Sequence, residues 1–171
     1  MNVQLIFCLE TSKTAGTDWI YVKETISRFF IITNKIKYAP IYMNSKNNYN
    51  SAFVNKEIAK RIKDYRLGKT YVFYCIDVDD FESNPVHVKE FKDISAFCKK
   101  NGYSLVWFCH DIEDVYLNKR IHDTEKVKMA GTFRQNKCIN KISKSKLESS
   151  NCHKVHSSNI LGELSKYLER K

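Results

Sequence analysis

Residues 70–80 read TYVFYCIDVDD. Tyr71–Ile76 is an unbroken apolar and aromatic run, so neither face of the strand it forms is suited to water. That pattern marks a strand covered by helices on both sides, the habit of parallel sheets. The run then ends abruptly on three acids, Asp77, Asp79 and Asp80. Similar apolar runs lie on either side of it. Val3–Leu9 closes on Glu10, and Leu105–Cys109 is followed by His110, Asp111, Glu113 and Asp114. Tyr38–Met43 is a weaker strand, and its Pro40 favours a sheet edge.

Helical spacing fills the intervals. Trp19, Ile20, Val22, Ile26, Phe29 and Phe30 predict a helix over Asp18–Thr33, with Asp18 as its candidate cap. Ala52, Val54, Ile58, Ile62 and Tyr65 predict a second, ended near Gly68. A third covers Val86–Asn101 and stops at Asn101-Gly102, and a short fourth begins at Ile112. Strands alternating with helices predict an α/β, Rossmann-like fold: a mostly parallel sheet, right-handed crossovers and helices on both faces. In such sheets ligands bind beyond the carboxyl ends of the strands.

The chain has 171 residues, the length of one domain. Residues 1–120 carry the α/β pattern. Residues 121–171 read as a basic extension packed on the same domain, irregular through Lys126–Lys146 and tied down by a helix over Ile160–Leu168. Lys126–Lys146 contains no acid at all. Lysine and arginine number 29 against 19 acids, a net charge of +10 that favours a polyanionic partner such as DNA or RNA. No apolar run is long enough to span a bilayer. The first residues, MNVQLIFCLE, lack the basic start and small-residue cleavage site of a secretion signal, so a cytoplasmic protein is expected. Six cysteines without a CxxC are then expected to be reduced thiols, with Cys8, Cys75 and Cys109 as small core residues.

Glu10, Asp77, Asp79 and Asp80 should meet on one rim of the sheet, with Glu113 close by. Crowded carboxylates repel one another and hold their protons unless a cation stands between them. Mg²⁺ or Mn²⁺ would resolve that conflict with oxygen ligands. A metal beside a basic surface is suited to hydrolysing a phosphodiester, because it polarises the phosphate and activates water while lysines hold the strand.

A Glu closing the first strand and an Asp-x-Asp closing the third resembles the Toprim domain. The text "IDVDDF" (residues 76–81) and the later "LVWFCHDIEDVYL" (residues 105–117) are most similar to Toprim nucleases of the overcoming-lysogenisation-defect and RloB-like phage-defence group. The resemblance covers residues 3–117. Thr11 stands where that family usually has Gly, and the loop Thr11–Thr17 is longer than in topoisomerases and primases. The resemblance implies a metal-dependent nuclease acting on DNA or RNA in bacterial anti-phage defence or a toxin-like system. It implies Glu10, Asp77 and Asp79 as catalytic metal ligands, Glu10 alternatively as general base, and Asp80 and Glu113 as additional ligands. Lys13, in the loop beside Glu10, is a candidate phosphate contact, and Lys137, Lys141 and Lys144 are candidates to track the nucleic-acid backbone. No Walker-type glycine loop is present, so an ATPase or regulatory partner would be a separate protein.

Two other readings use the same residues. One is a non-catalytic module that binds nucleic acid or a protein partner on a Toprim-like fold. The other is a phospho-receiver domain, which needs an acidic pair after the first strand and a lysine after a late one; this chain has only Glu10. Cys138, Cys152, His153 and His156 lack the short paired spacings of a zinc site.

Overall fold

A computed structural model describes residues 2–79 and 83–171. Four strands, β1 (Asn2–Leu9), β2 (Ile36–Tyr42), β3 (Gly68–Asp77) and β4 (Ser104–Phe108), form one sheet in the order β2-β1-β3-β4. All three pairings are parallel. The fold is therefore the expected α/β sheet, with Pro40 on an edge strand. From β1 the chain crosses first to β2 on one side and then back over to β3 on the other. The β1–β3 boundary is thus the point where the winding reverses, and the carboxyl ends of these two strands flank the crevice that such a reversal opens.

Alternation along the strands divides the core in two. Leu5, Phe7, Leu9, Phe73, Cys75, Val106 and Phe108 face α1 (Thr17–Phe29), α4 (Ile112–Leu117), α5 (Asp123–Gln135) and α6 (Ile160–Leu164). Ile6, Cys8, Val72, Tyr74 and Ile76 face α2 (Ala52–Asp64) and α3 (Pro85–Asn101). The first layer is built on aromatic contacts: Tyr21 stacks on Tyr116 with ring centres 5.1 Å apart and meets Phe133 at 4.9 Å.

The chain beyond residue 120 is more ordered than its sequence suggests. Asp123–Gln135 is a regular helix that buries only Ala130 and Phe133, too few apolar positions to show a period. Two 3₁₀ turns follow, and Ile139, Leu147, Ile160, Leu161, Leu164 and Leu168 join the same core layer as the sheet. Part of this segment also covers the outer edge of β4. Asn159 accepts from Trp107 N–H at 2.9 Å and donates to the Leu105 carbonyl at 2.9 Å, and the Ser158 hydroxyl donates to the Trp107 carbonyl. The opposite edge, β2, carries no such cover among the described residues, and Pro40 and the exposed Lys37 blunt it.

Two expected helix ends fall elsewhere. Asp18 does not cap α1; Gly16, in the left-handed region at φ 56°, occupies the cap position, and Asp18 lies buried in the first turn. Gly68 does not end α2, which closes at Tyr65; it opens β3 instead, opposite Asn2. A Cβ at Gly68 would stand 1.8 Å from the Asn2 carbonyl oxygen, so only glycine lets the two strands meet here. Among the described residues no helix is long and apolar enough to cross a membrane. Gly68→Ala should destabilise the protein by about 1–3 kcal/mol through forced separation of β1 and β3. Urea unfolding checks this, and an unchanged midpoint would mean the strands part without cost.

Candidate functional site

Register brings the first two acids together. Leu9 lies opposite Cys75, so Glu10 and Asp77 leave neighbouring strands side by side. The Asp77 N–H donates to Glu10 Oε1 at 2.6 Å, and Asp77 Oδ1 accepts from the Ile112 N–H, at the start of α4, at 3.0 Å. One aspartate thus binds the ends of β1, β3 and α4 to each other.

Two more acids complete a cluster. Asp18, in the first turn of α1, accepts from the Thr11 N–H at 3.3 Å. Glu113, in the first turn of α4, is 1% exposed, and its Oε1 has no hydrogen-bond partner. Burial pushes all of them up. Glu10 rises to about 8, with Asp18 and Asp79 adding repulsion while Lys46 and the Asp77 amide oppose it. Glu113 rises to about 7 and Asp18 to about 6, each through burial and each partly relieved by Lys126. Asp77 is raised well above the carboxylate range by burial and then by Glu10, Asp18, Glu113 and Asp111. Glu10, Asp18 and Asp77 face a cleft of about 540 Å³ whose walls also include Asp123 and Lys126, whereas Glu113 is buried outside its lining.

Two lysines, neither of them apparent as site residues in the sequence, stand among these acids. Lys126 of α5 lies 3.2 Å from Glu113, 3.6 Å from Asp123 and 3.9 Å from Asp111. Burial pulls its ammonium down, but the surrounding acids outweigh this and hold it above the usual lysine range. Lys46, just beyond β2, forms an ion pair with Asp79, lies 3.9 Å from Glu90 and donates to the Asp77 carbonyl at 3.4 Å. Burial likewise opposes its charge, and Asp79 and Glu10 restore it. Lys126 hides in a basic run and Lys46 in an asparagine-rich loop, so composition points to solvent for both.

Several expected site residues are placed apart. Asp79 turns away from Asp77: its backbone is left-handed at φ 54°, its N–H donates to the His110 carbonyl, and its carboxylate is taken by Lys46. Asp80 lies outside the described residues. Lys13 is exposed and lines a separate groove along β2, not the acidic cleft. Lys137 lines a shallow depression with Ser27 and Arg28, at the last turn of α1, whereas Asp18 sits in its first. Lys141 and Lys144 are exposed in the turns that follow. The length of α1, about 20 Å at 1.5 Å per residue, separates Lys137 from the cleft.

Among the described residues, no three His, Cys, Asp or Glu side chains stand close enough to hold a metal ion by themselves. The donors present, Glu10 and Asp77, suit a hard cation such as Mg²⁺, which commonly takes one or two carboxylates and completes its shell with water and phosphate oxygens. One Glu113 oxygen has no hydrogen-bond partner, and the upward shifts come first from burial and then from repulsion among the acids.

No family model matches this chain, and no curated protein matches it. Among solved structures it is similar to a de novo designed Rossmann fold protein, at 9% identity over 79% of this chain and 99% of the other, with a TM-score of 0.30.

Raised acid pKa values make metal-free stability depend on pH with a definite sign. Below pH 4 folded and unfolded chains both hold these protons. Between pH 5 and 8 the folded chain keeps protons that the unfolded chain has lost, so stability falls as pH rises through about 6–8. Glu10→Gln keeps the acceptor for the Asp77 amide and removes one charge, and should raise stability at pH 8 by about 1–3 kcal/mol. Melting curves in chelator from pH 5 to 8 test this. A wild-type profile that rises with pH, or one that Glu10→Gln leaves unaltered, would contradict the cluster's electrostatics.

Proposed function

We propose that this chain is a divalent-cation-dependent nuclease that hydrolyses phosphodiester bonds in DNA or RNA. The observation that carries the reading is the gathering of Glu10, Asp18 and Asp77 around one cleft at the β1–β3 crevice, with Glu113 buried nearby, in a chain whose net charge is +10. A protein this basic has no need of four crowded carboxylates for solubility, and their raised pKa values mark a cost that binding a cation relieves.

Glu10 and Asp77 are the residues that would hold Mg²⁺ or Mn²⁺. Such an ion, when bound, polarises a phosphate oxygen and lowers the pKa of a coordinated water. The chain's own groups supply the rest. If Asp77 alone holds the ion, Glu10 instead stands as the general base for the attacking water. The Ile112 and Asp77 amides fix the two carboxylates against rotation. Lys46 and Lys126 hold positive charge on opposite sides of the acids, where it offsets the charge that builds on a phosphate in the transition state. A role in phage defence or a toxin-like system is supported by the Toprim-like motifs alone.

A second reading is favoured by the ion pairs. Lys46–Asp79 and Lys126–Glu113 neutralise two of the acids without a metal, as a non-catalytic nucleic-acid- or partner-binding module would require. Incubation with DNA, total RNA and tRNA, with and without Mn²⁺, separates the two. Metal-dependent cleavage is expected, and Glu10→Gln and Asp77→Asn should each reduce it by about 10²–10⁴-fold while abolishing the Mn²⁺-induced rise in melting temperature. Cleavage that persists in both variants, or none in wild type, would leave the binding module as the reading.

A further inference from the structure

The sheet's two edges are treated differently. Asn159 and Ser158 cover β4, but the outer side of β2 borders an open groove of about 600 Å³. The groove runs between β2 and α2 and is lined by Lys13, Tyr42, Asn44, Phe53, Glu57 and Arg61, with Ala39–Ile41 as its floor. Two of its features have no structural explanation. Phe53 is 58% exposed in the first turn of α2, where a polar residue would serve the helix equally well. Lys13 is exposed and has no part in the acidic cluster. Arg61 lies 3.9 Å from Glu57 and is otherwise turned to the groove wall.

The groove also continues into the site. Asn44 is a wall of both the groove and the acidic cleft. Tyr42 lines the groove as well, but its side chain packs on the core layer that faces α1, and its hydroxyl would stand 3.7 Å from a Cβ at Gly16, in the loop beside the cleft. From Ala39 to Tyr42, where β2 ends, there are three strand steps, about 10 Å, and Asn44 lies two residues beyond in a left-handed turn.

We infer that this groove seats a single-stranded nucleic acid whose chain leads past Asn44 into the Glu10–Asp77 cleft. Aromatic faces separated by cations are what a single strand needs, since bases stack on rings whatever their sequence and phosphates pair with lysine and arginine. Phe53 provides the open face, with Tyr42 partly buried beside it, and Lys13 and the Glu57-paired Arg61 provide the charges. A duplex is the wrong shape, because its bases are already stacked and cannot reach an exposed ring in a groove beside a strand edge. The inference deepens the nuclease reading and rests on it for direction only; the groove would bind a strand whether or not the cleft cuts it.

The test separates these two claims. Binding is measured in EDTA by anisotropy of fluorescein-labelled dT12, U12 and a 12-base-pair duplex, with full-length protein. Hydrolysis of bis(p-nitrophenyl) phosphate by wild type with Mn²⁺ is measured apart, because so small a substrate does not depend on the groove. A single strand is expected to bind more tightly than the duplex. Phe53→Ala should weaken that binding roughly tenfold. Lys13→Ala with Arg61→Ala should lower the slope of log K against log salt by about 0.7 for each cation removed. All three side chains lie at the surface, and melting curves confirm that the variants are folded. Equal binding of duplex and single strand, an unchanged affinity in Phe53→Ala, or an unchanged salt slope overturns the inference, as does competition by an extended peptide without any strand binding. Strand binding that obeys these expectations without phosphodiester hydrolysis upholds the groove and rejects the nuclease.

Discussion

The contact on which the rest depends is the hydrogen bond from the Asp77 amide to the Glu10 carboxylate. It exists because two parallel strands in register end within a residue or two of each other, and because each ends on an acid. Glu10 is thereby anchored at the winding reversal, and the second acceptor at that point, Asp77 Oδ1, fastens the start of α4. Once these three ends are joined, Glu113 in the first turn of α4 and Asp18 in the first turn of α1 have nowhere to go but the same crevice. The acidic cluster is a consequence of topology, and its repulsion is a strain the fold must offset.

Lys46 and Lys126 provide that offset from opposite sides. Each is brought in by an element that otherwise contributes little to the core: Lys46 by the loop after the edge strand, Lys126 by a helix that buries just two side chains. Burying an ammonium costs several kcal/mol unless carboxylates surround it, and burying a carboxylate costs as much unless a cation does. Each group makes the other tolerable. Removing either lysine alone would therefore leave an uncompensated buried acid, which is a larger penalty than the pair is worth as a pair.

Much of this was legible in the sequence, and what was not has physical causes. Tyr71–Ile76 announces a strand covered on both faces, and the parallel sheet follows; Pro40 marks the edge. Glu10 and Asp77 stand out because an acid that ends a buried strand is conspicuous. Asp79 was expected beside Asp77 from the same reasoning, but a left-handed turn at φ 54° sends it to Lys46, and nothing in a one-dimensional pattern reports the sign of φ at an aspartate. Asp18 was visible only as a cap, since its burial depends on Gly16 taking the cap position. Lys126 was illegible because α5 has too few apolar residues to show a helical period, so its lysines read as solvated charge. Lys137, Lys141 and Lys144 belong to that same run, yet α1 and α5 carry the chain away from the crevice before Lys137 is reached.

The distribution of charge ties the crevice to its surroundings. A net +10 draws a polyanion toward the molecule from a distance, but four acids at the crevice would turn it away over the last few ångströms. Salt screens interactions beyond roughly 8–10 Å, so the long-range attraction and the local repulsion act over different ranges and do not simply cancel. A strand could approach the acids only where fixed cations line the route. Lys13 and Arg61 stand along the open β2 edge and Lys46 at its inner end, whereas the covered β4 edge offers backbone hydrogen bonds that are already made. On the reading proposed above, the open edge is the side from which a phosphate backbone would approach Glu10, passing Lys13, the Glu57-paired Arg61 and then the Asp79-paired Lys46.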